Sequence, residues 1–401
     1  MTDTDFETLK WLLAPIEPGV FLTEYWERKP LVLSRGLGGY YDELLSLSVV
    51  DRVLTSHHFF HPSIRQVTAA RETAVEEYTF PDGLIDTRRL LKAYSEGSTI
   101  ILNQLELQVP PLLEFCRGLE RELATRMQAN TYVTPRNSQG FKPHYDSHDV
   151  FVLQIHGSKH WLFYDTPIEL PMRGQGFRPE DTEAGAVTRE FTLHPGDLLY
   201  IPRGLMHDAR TTGEDSVHIT AGVLATTWSE LLLEAVGHAA IGDRDLRRAL
   251  TPGFARAGAG RAEAAQTLRA MMQRVVDSLD AEALLDQAAD DLIGTRVALM
   301  ENQLEQLVRL DRIGADTRVG PRPKLIYRLR ETDEHVVISI FGTELKLPIH
   351  TARPLRYALE TPSFAVRDLP DDLDAPGKLV LVRRLVREGI LRRVGGSDRM
   401  D

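Results

Sequence analysis

Three side chains with metal-binding chemistry recur in a suggestive pattern: His144 and Asp146 in GFKPHYDSHDV, and His207 in PGDLLYIPRGLMH. Two imidazoles and one carboxylate make a three-point face that leaves coordination positions open, the arrangement of non-haem Fe(II) centres that work with oxygen. Zinc accepts the same donors and keeps an open position at catalytic sites, so it stays an alternative on these residues alone. A His-x-Asp pair is weak by itself: with 13 histidines in the chain, about one such match is expected by chance. Its setting strengthens it. Residues two apart on a strand project from one face, which would aim His144 and Asp146 into the same interior. Pro143 favours extended backbone at Lys142. His207 follows a turn at residues 194–197 and the strand-like LLYIP, beside Arg203 and Gly204, where an open rim is expected. His148, His156 and His160 are rival ligands, and His144 or Asp146 could instead serve as a hydrogen-bonded core or turn residue.

The elements that must position these groups read as α+β. Up to about Ala225 the chain alternates helix-like segments with short apolar runs: PLVLS, STIILNQL, QANTYVTP, DVFVLQIHG, KHWLFYD, EFTLHPGDLLYIP and SVHITAGVLA. Many are rich in Val, Ile, Tyr and Phe and are bounded by Pro, Gly, Asn or Asp, which predicts a sandwich or barrel. In FLTEYWERKP, Thr23 is expected to cap a helix that Pro30 ends. From about Trp228 to Leu310 the pattern turns helical, with Leu268, Met271, Val275 and Leu279 at helical spacing and TPGFARAGAGRAEAA as a linker between two halves. Such a block either dimerises or packs on the β core. From about Gly314, two β-like runs followed by two helix-like ones suggest a winged helix. Arg383, Arg384, Arg387, Arg392 and Arg393 could give it a basic face, although Asp368, Asp371, Asp372 and Asp374 lie close by.

Composition narrows the function classes. A chain of 401 residues with 42% hydrophobic content can bury two or three cores. The net charge of -11 argues against a general nucleic-acid or anionic-membrane binder, so direct nucleic-acid binding is not expected. Cys116 is the single cysteine, which rules out an intrachain disulfide and suits a cytoplasmic protein. The acidic N-terminus lacks the apolar stretch of a signal peptide, and no apolar run approaches the roughly 20 residues of a membrane span.

Taken together, FLTEYWERKPLVLSRG, ILNQLELQVPPLLEFCRGLE, NTYVTPRNSQGFKPHYDSHDVFVLQIHGSKHW and PGDLLYIPRGLMHDA resemble the JmjC-type ribosomal oxygenases, protein hydroxylases of the cupin superfamily that depend on Fe(II) and 2-oxoglutarate. The resemblance spans nearly the whole chain. It implies a double-stranded β-helix (jelly-roll) catalytic domain over residues 1–227, a helical dimerisation domain over 228–312 and a winged-helix domain over 313–401. It implies His144, Asp146 and His207 as iron ligands, Lys159 as the cation for the distal carboxylate of 2-oxoglutarate, and Tyr132 and Thr220 as hydroxyl donors to that cosubstrate. Asn130, and Gln139 in the loop from Arg136 to Gly140, would face the substrate. Lys159 stands among apolar neighbours in GSKHWLFY, where a buried ammonium would need a carboxylate; read without the family it is a solvent-exposed lysine at a hairpin turn. In the histidine-hydroxylating branch a serine commonly lies two residues after the threonine matched by Thr220. Here that position is Gly222, so the resemblance leaves arginine and histidine both open as targets.

The implied protein is therefore a 2-oxoglutarate-dependent dioxygenase acting with O2 on a polypeptide, in particular a ribosomal protein, and working as a homodimer, the commonest closed assembly. A hydroxylase of a small molecule or peptide natural product would use the same iron site. A non-catalytic cupin-like binding or regulatory protein would not need Lys159. Hydroxylation of an N-methyl carbon would make the enzyme a demethylase.

Overall fold

The computed structural model describes residues 6–71, 73–179 and 182–394. By compactness it divides into two units. The first comprises the described residues through Leu224 together with Leu299–Leu325 and those from Arg353 onward; the second comprises Ala225–Ala298 and Ile326–Ala352.

In the first unit, through Leu224, helices α1 (Glu7–Leu13), α2 (Pro18–Glu24), α3 (Leu47–Ser56), α4 (Thr87–Ser95) and α5 (Pro110–Leu123) accompany ten strands: β1 (Leu31–Leu33), β2 (Ile64–Val67), β3 (Thr99–Leu102), β4 (Arg126–Thr134), β5 (Asp149–Gly157), β6 (Lys159–Tyr164), β7 (Val187–Leu193), β8 (Leu198–Ile201), β9 (His207–Arg210) and β10 (Ser216–Leu224). Seven of them form a sheet in the order β1-β8-β5-β10-β4-β3-β2, and three form a second sheet, β7-β6-β9. The two sheets meet through Val150 and Val152 of β5, Leu199 and Ile201 of β8, and Trp161, Phe163 and Leu193 of β6 and β7, all buried. The non-alternating strands β5 and β8 are buried on both faces. Phe151 and Tyr200 turn away from the sheet interface onto Phe21, with ring centroids at 5.6 and 4.9 Å. Apolar residues are therefore needed at consecutive positions, which explains runs such as VFVLQI.

Every apolar run expected as a strand contains one. Strands β2 and β9 were not expected, being short and polar. Two local expectations fail. The helix α2 (Pro18–Glu24) begins at Pro18 and stops before the expected end, and the Thr23 hydroxyl bonds back to the carbonyls of Gly19 and Val20 instead of capping; a threonine inside a helix has those carbonyls within reach. His144 and Asp146 do not lie on a strand. They precede β5 on irregular backbone, where only His144 is paired, through a single bridge to His207.

In the second unit, α6 (Trp228–Gly242), α7 (Ala259–Asp277) and α8 (Ala281–Gly294) accompany a meander of β12 (Arg328–Glu331), β13 (His335–Ile340) and β14 (Thr343–Pro348). The second half of the expected linker, from Ala259, is the first turns of α7. Arg328 ties the meander to the helices through the Asp286 carboxylate at 2.7 Å.

The remaining C-terminal elements belong to the first unit. They are α9 (Gln303–Val308), β11 (Arg318–Pro321), α10 (Ala352–Glu360), β15 (Phe364–Ala365), α11 (Ala375–Arg387) and β16 (Leu391–Arg393), with a small sheet ordered β15-β11-β16. The Gln303 amide donates to the carbonyls of Val386 and Arg387 at 2.9 and 3.2 Å, which joins α9 to the end of α11. One boundary between the compact units falls at Leu224/Ala225, whereas near 313 they do not follow the expected break: the meander sits with the helical block, and α9 sits with the C-terminal strands.

Candidate metal centre

One donor atom each from His144, Asp146 and His207 lies within 4.8 Å of the others, close enough to share one ion. Three features hold them there. His144 and His207 exchange two backbone hydrogen bonds, at 3.0 and 2.8 Å. The Asp146 carbonyl accepts the N–H of Gly204 at 2.9 Å. Each histidine is also fixed in tautomer. The Nδ1–H of His144 donates to the Lys142 carbonyl and that of His207 to the Leu205 carbonyl, both at 2.9 Å. A carbonyl only accepts, so Nδ1 carries the proton and Nε2 keeps the lone pair a metal needs. His207 Nε2 lies 3.9 Å from the Asp146 carboxylate.

The electrostatics suit a cation. Burial holds the His207 imidazole down at about 4, His144 adding to the effect and Asp146 opposing it. His207 is therefore neutral at physiological pH, and its approach to Asp146 is no ion pair. For Asp146, burial raises the carboxyl, but the imidazoles of His144, His207 and His148 together outweigh it and the net shift is downward. A carboxylate and neutral imidazoles are the forms that bind metal.

A cavity of about 240 Å³ opens from this cluster, lined among others by Tyr132, Val152, Lys159, Trp161, His218 and Thr220. Lys159 is 4% exposed. It shares the inward face of β6 with Trp161, so the exposed hairpin position is excluded. Its ammonium donates to the Thr134 hydroxyl at 3.0 Å, and no carboxylate among the described residues pairs with it. Burial alone lowers its pKa to about 7. The hairpin that delivers it turns at Gly157, whose φ of +58° and position against the Asp215 carbonyl leave no room for a Cβ.

Thr220 and Tyr132 both line the cavity, on the adjacent strands β10 and β4. Asn130 pairs with Thr220 across those strands and does not line it. Its Oδ1 accepts from the Gln104 N–H at 3.0 Å and from the Gln128 amide at 3.1 Å. Gln139 also stays outside, its amide folded onto the Phe141 carbonyl at 2.8 Å. The rivals His156 and His160 are not part of the ligand group; the His160 ring bonds to Thr192 at 3.1 Å.

Sequence reading missed His218. It stacks on Tyr132 with centroids 4.8 Å apart and planes 5° off parallel, and its buried Nδ1 has no hydrogen-bond partner among the described residues. The signal was present, since His218 and Thr220 are two apart on one strand and must share a face. Arg65 and Thr99, also on the cavity wall, carried no such signal.

The family model of the JmjC domain matches residues 106–231. The chain carries a JmjC domain. This domain includes all three candidate ligands and Lys159. A mosquito protein (Aedes aegypti), "Bifunctional lysine-specific demethylase and histidyl-hydroxylase NO66", is 33% identical over 299 residues, covering 71% of this chain and 47% of that protein. Mouse "Ribosomal oxygenase 2" is 32% identical over 233 residues, covering 56% of this chain and 49% of that protein. The chain thus spans about half the length of these curated relatives. In architecture it resembles YcfD, a ribosomal oxygenase from Escherichia coli solved with cobalt and 2-oxoglutarate, at a TM-score of 0.54 over 95% of this chain and 99% of that one. At 16% identity this likeness establishes a shared fold, a cupin-type JmjC fold of mixed α and β content.

Proposed function

We propose that this chain is a 2-oxoglutarate-dependent dioxygenase that hydroxylates an arginine or histidine side chain of a ribosomal protein. One observation carries the reading: one cavity has a two-histidine, one-carboxylate cluster on its wall together with a buried ammonium that no carboxylate among the described residues pairs with. Isolated burial of that ammonium is costly, and a diacid bound beside the cluster removes the cost.

The donor set fits Fe(II). Thiolates are absent from it, and the open three-point face matches non-haem iron. When bound, iron together with 2-oxoglutarate and dioxygen supplies an oxidant able to hydroxylate a C–H bond. The residues of this chain do the rest. His144 and His207, through Nε2, and Asp146 hold the metal. Lys159 takes the distal carboxylate of the diacid, and the hydroxyls of Tyr132 and Thr220 orient it. Val150, Val152, Trp161 and Ile201 keep the chamber dry, while Asn130 and Gln139 lie toward the polypeptide.

The same reading extends to the assembly. A homodimer formed through the helical segment 228–312 is supported by Trp228, Ile241 and Leu233, which are 77%, 75% and 73% exposed. A winged-helix module in the C-terminal block, whose expected span 313–401 gives up the meander of residues 328–348 to the second unit, is supported by α10 and α11 beside the β15-β11-β16 sheet. The module favours contact with protein over nucleic acid, since two of the five arginines of its expected basic face are engaged internally: Arg383 donates to the carbonyls of Asp311 and Ile313, and Arg384 pairs with Glu388 at 2.8 Å. Cys116 is buried and free, as suits the cytoplasm, and no helix among the described residues is long and apolar enough to cross a membrane.

Mass spectrometry of ribosomal proteins from cells with and without the gene tests the proposal. A peptide heavier by one oxygen atom, present only with the gene, is expected. Intact 2-oxoglutarate turnover with no such peptide would overturn the choice of substrate.

A further inference from the structure

Beside the metal cluster, and outside it, stands His148. The strand position it covers is Gly222 of β10. A Cβ built on Gly222 would meet Cδ2 and Nε2 of the His148 ring at 2.8 Å each, closer than real side chains allow, so the ring lies where any residue other than glycine would project. Gly222 is not in a left-handed turn and needs no special backbone freedom. Its missing side chain serves the imidazole.

The location matters. Gly222 follows Thr220 by two residues, on the same face of β10, and Thr220 lines the cavity. Across the sheet Gly222 pairs with Gln128 of β4 on one side and Val150 of β5 on the other, and Val150 lines the cavity as well. The Gln128 amide already bonds to Asn130. His148 is near enough to act electrostatically on both Asp146 and His207, yet it is not one of the three clustered donors. The ring is half-buried, and neither nitrogen has a hydrogen-bond partner among the described residues. A half-buried imidazole two residues after Asp146, without hydrogen-bond partners among the described residues and seated on a glycine two residues beyond the cavity-lining Thr220, is available to a group presented at the metal cluster. A neutral imidazole offers one donor and one acceptor, so it can receive a guanidinium, an imidazole or an amide.

We infer that His148 is a specificity-determining residue: it hydrogen-bonds the polar side chain of the polypeptide presented to the metal, and Gly222 exists to admit it. The inference rests on the reading of the cavity as an oxygenase site, and the test separates the two. Protein loaded with Co(II) and 2-oxoglutarate is immobilised and equilibrated with a peptide digest of ribosomal proteins, and retained peptides are quantified by mass spectrometry. Calorimetry measures Co(II) and 2-oxoglutarate binding in parallel, which reports on the oxygenase reading alone. His148→Ala and Gly222→Ser should each reduce peptide retention about tenfold or more, His148→Gln should recover part of it, and Co(II) and 2-oxoglutarate binding should stay within about twofold of the parent; a tenfold change corresponds to about 1.4 kcal/mol, the scale of one hydrogen bond. Retention unchanged in both His148→Ala and Gly222→Ser would overturn the inference. Loss of Co(II) binding in His148→Ala would overturn it too, by making His148 part of the metal centre.

Discussion

His144 and His207 face each other across an isolated two-bond β-bridge, each donating its N–H to the other's carbonyl, and this sets their rings 4.7 Å apart. The bridge joins the backbone before β5 to the first residue of β9, so the metal cluster is held by main-chain bonds as well as by its own side chains. His207→Ala leaves the bridge intact, because alanine keeps the N–H and C=O, and removes one donor. Co(II) affinity should fall by more than about 100-fold, beyond the loss typical of outer-shell changes, with thermal stability of the metal-free protein little reduced. Calorimetry and a melting curve check this, and Asp146→Ala should behave alike. Undiminished metal binding would remove the assignment.

The Lys159 ammonium predicts a pH dependence of cosubstrate binding. Its pKa of about 7 in the empty cavity means that above pH 7 the free protein holds the neutral amine, whereas a bound carboxylate requires the ammonium. Affinity for 2-oxoglutarate should therefore weaken by about tenfold per pH unit above 7, with uptake of a proton on binding. Calorimetry in buffers of different ionisation enthalpy measures that proton, and Lys159→Met should abolish it.

Acid should destabilise the metal-free protein through His207. The folded imidazole stays neutral down to about 4, while in the unfolded chain it takes up a proton near its ordinary 6.5. Between those values the unfolded state binds more protons, so stability drops as pH falls from 6.5 to 4 and is insensitive to this group above that window. The loss is up to about 3 kcal/mol. Denaturant titrations at pH 7 and pH 4.5 should show it, and His207→Asn should flatten it.

Gly157→Ala should damage the hairpin that delivers Lys159. The added Cβ would come within 1.7 Å of the Asp215 carbonyl oxygen, at a φ of +58°. Backbone on both sides must move, at a cost of at least about 1–3 kcal/mol. Urea unfolding reads the stability, and 2-oxoglutarate binding should weaken with it as Lys159 shifts.

The helical segment offers an independent test of assembly. Trp228→Asp combined with Ile241→Asp should convert a dimer to a monomer in light scattering. Both side chains are already exposed in the single chain, so its folding should be unaffected. An unchanged particle mass would remove the proposed interface.

Much of the site was legible in the sequence because its chemistry is local. The His144, Asp146 and His207 donor types follow from residue identity, and the strand-forming runs around them from a two-residue period. That period also contained His218, which went unread. Long-range pairing decided the rest. Nothing near residue 144 says that it bridges residue 207 and so leaves the expected strand. Neither GSKHW nor its neighbours says whether Lys159 ends up in water or beside Thr134. The fit of the His148 ring on Gly222 involves two segments that meet only once β5 and β10 are paired. Periodicity sets which residues share a face, whereas register and sheet packing set what that face meets, and those depend on contacts between residues far apart in the chain.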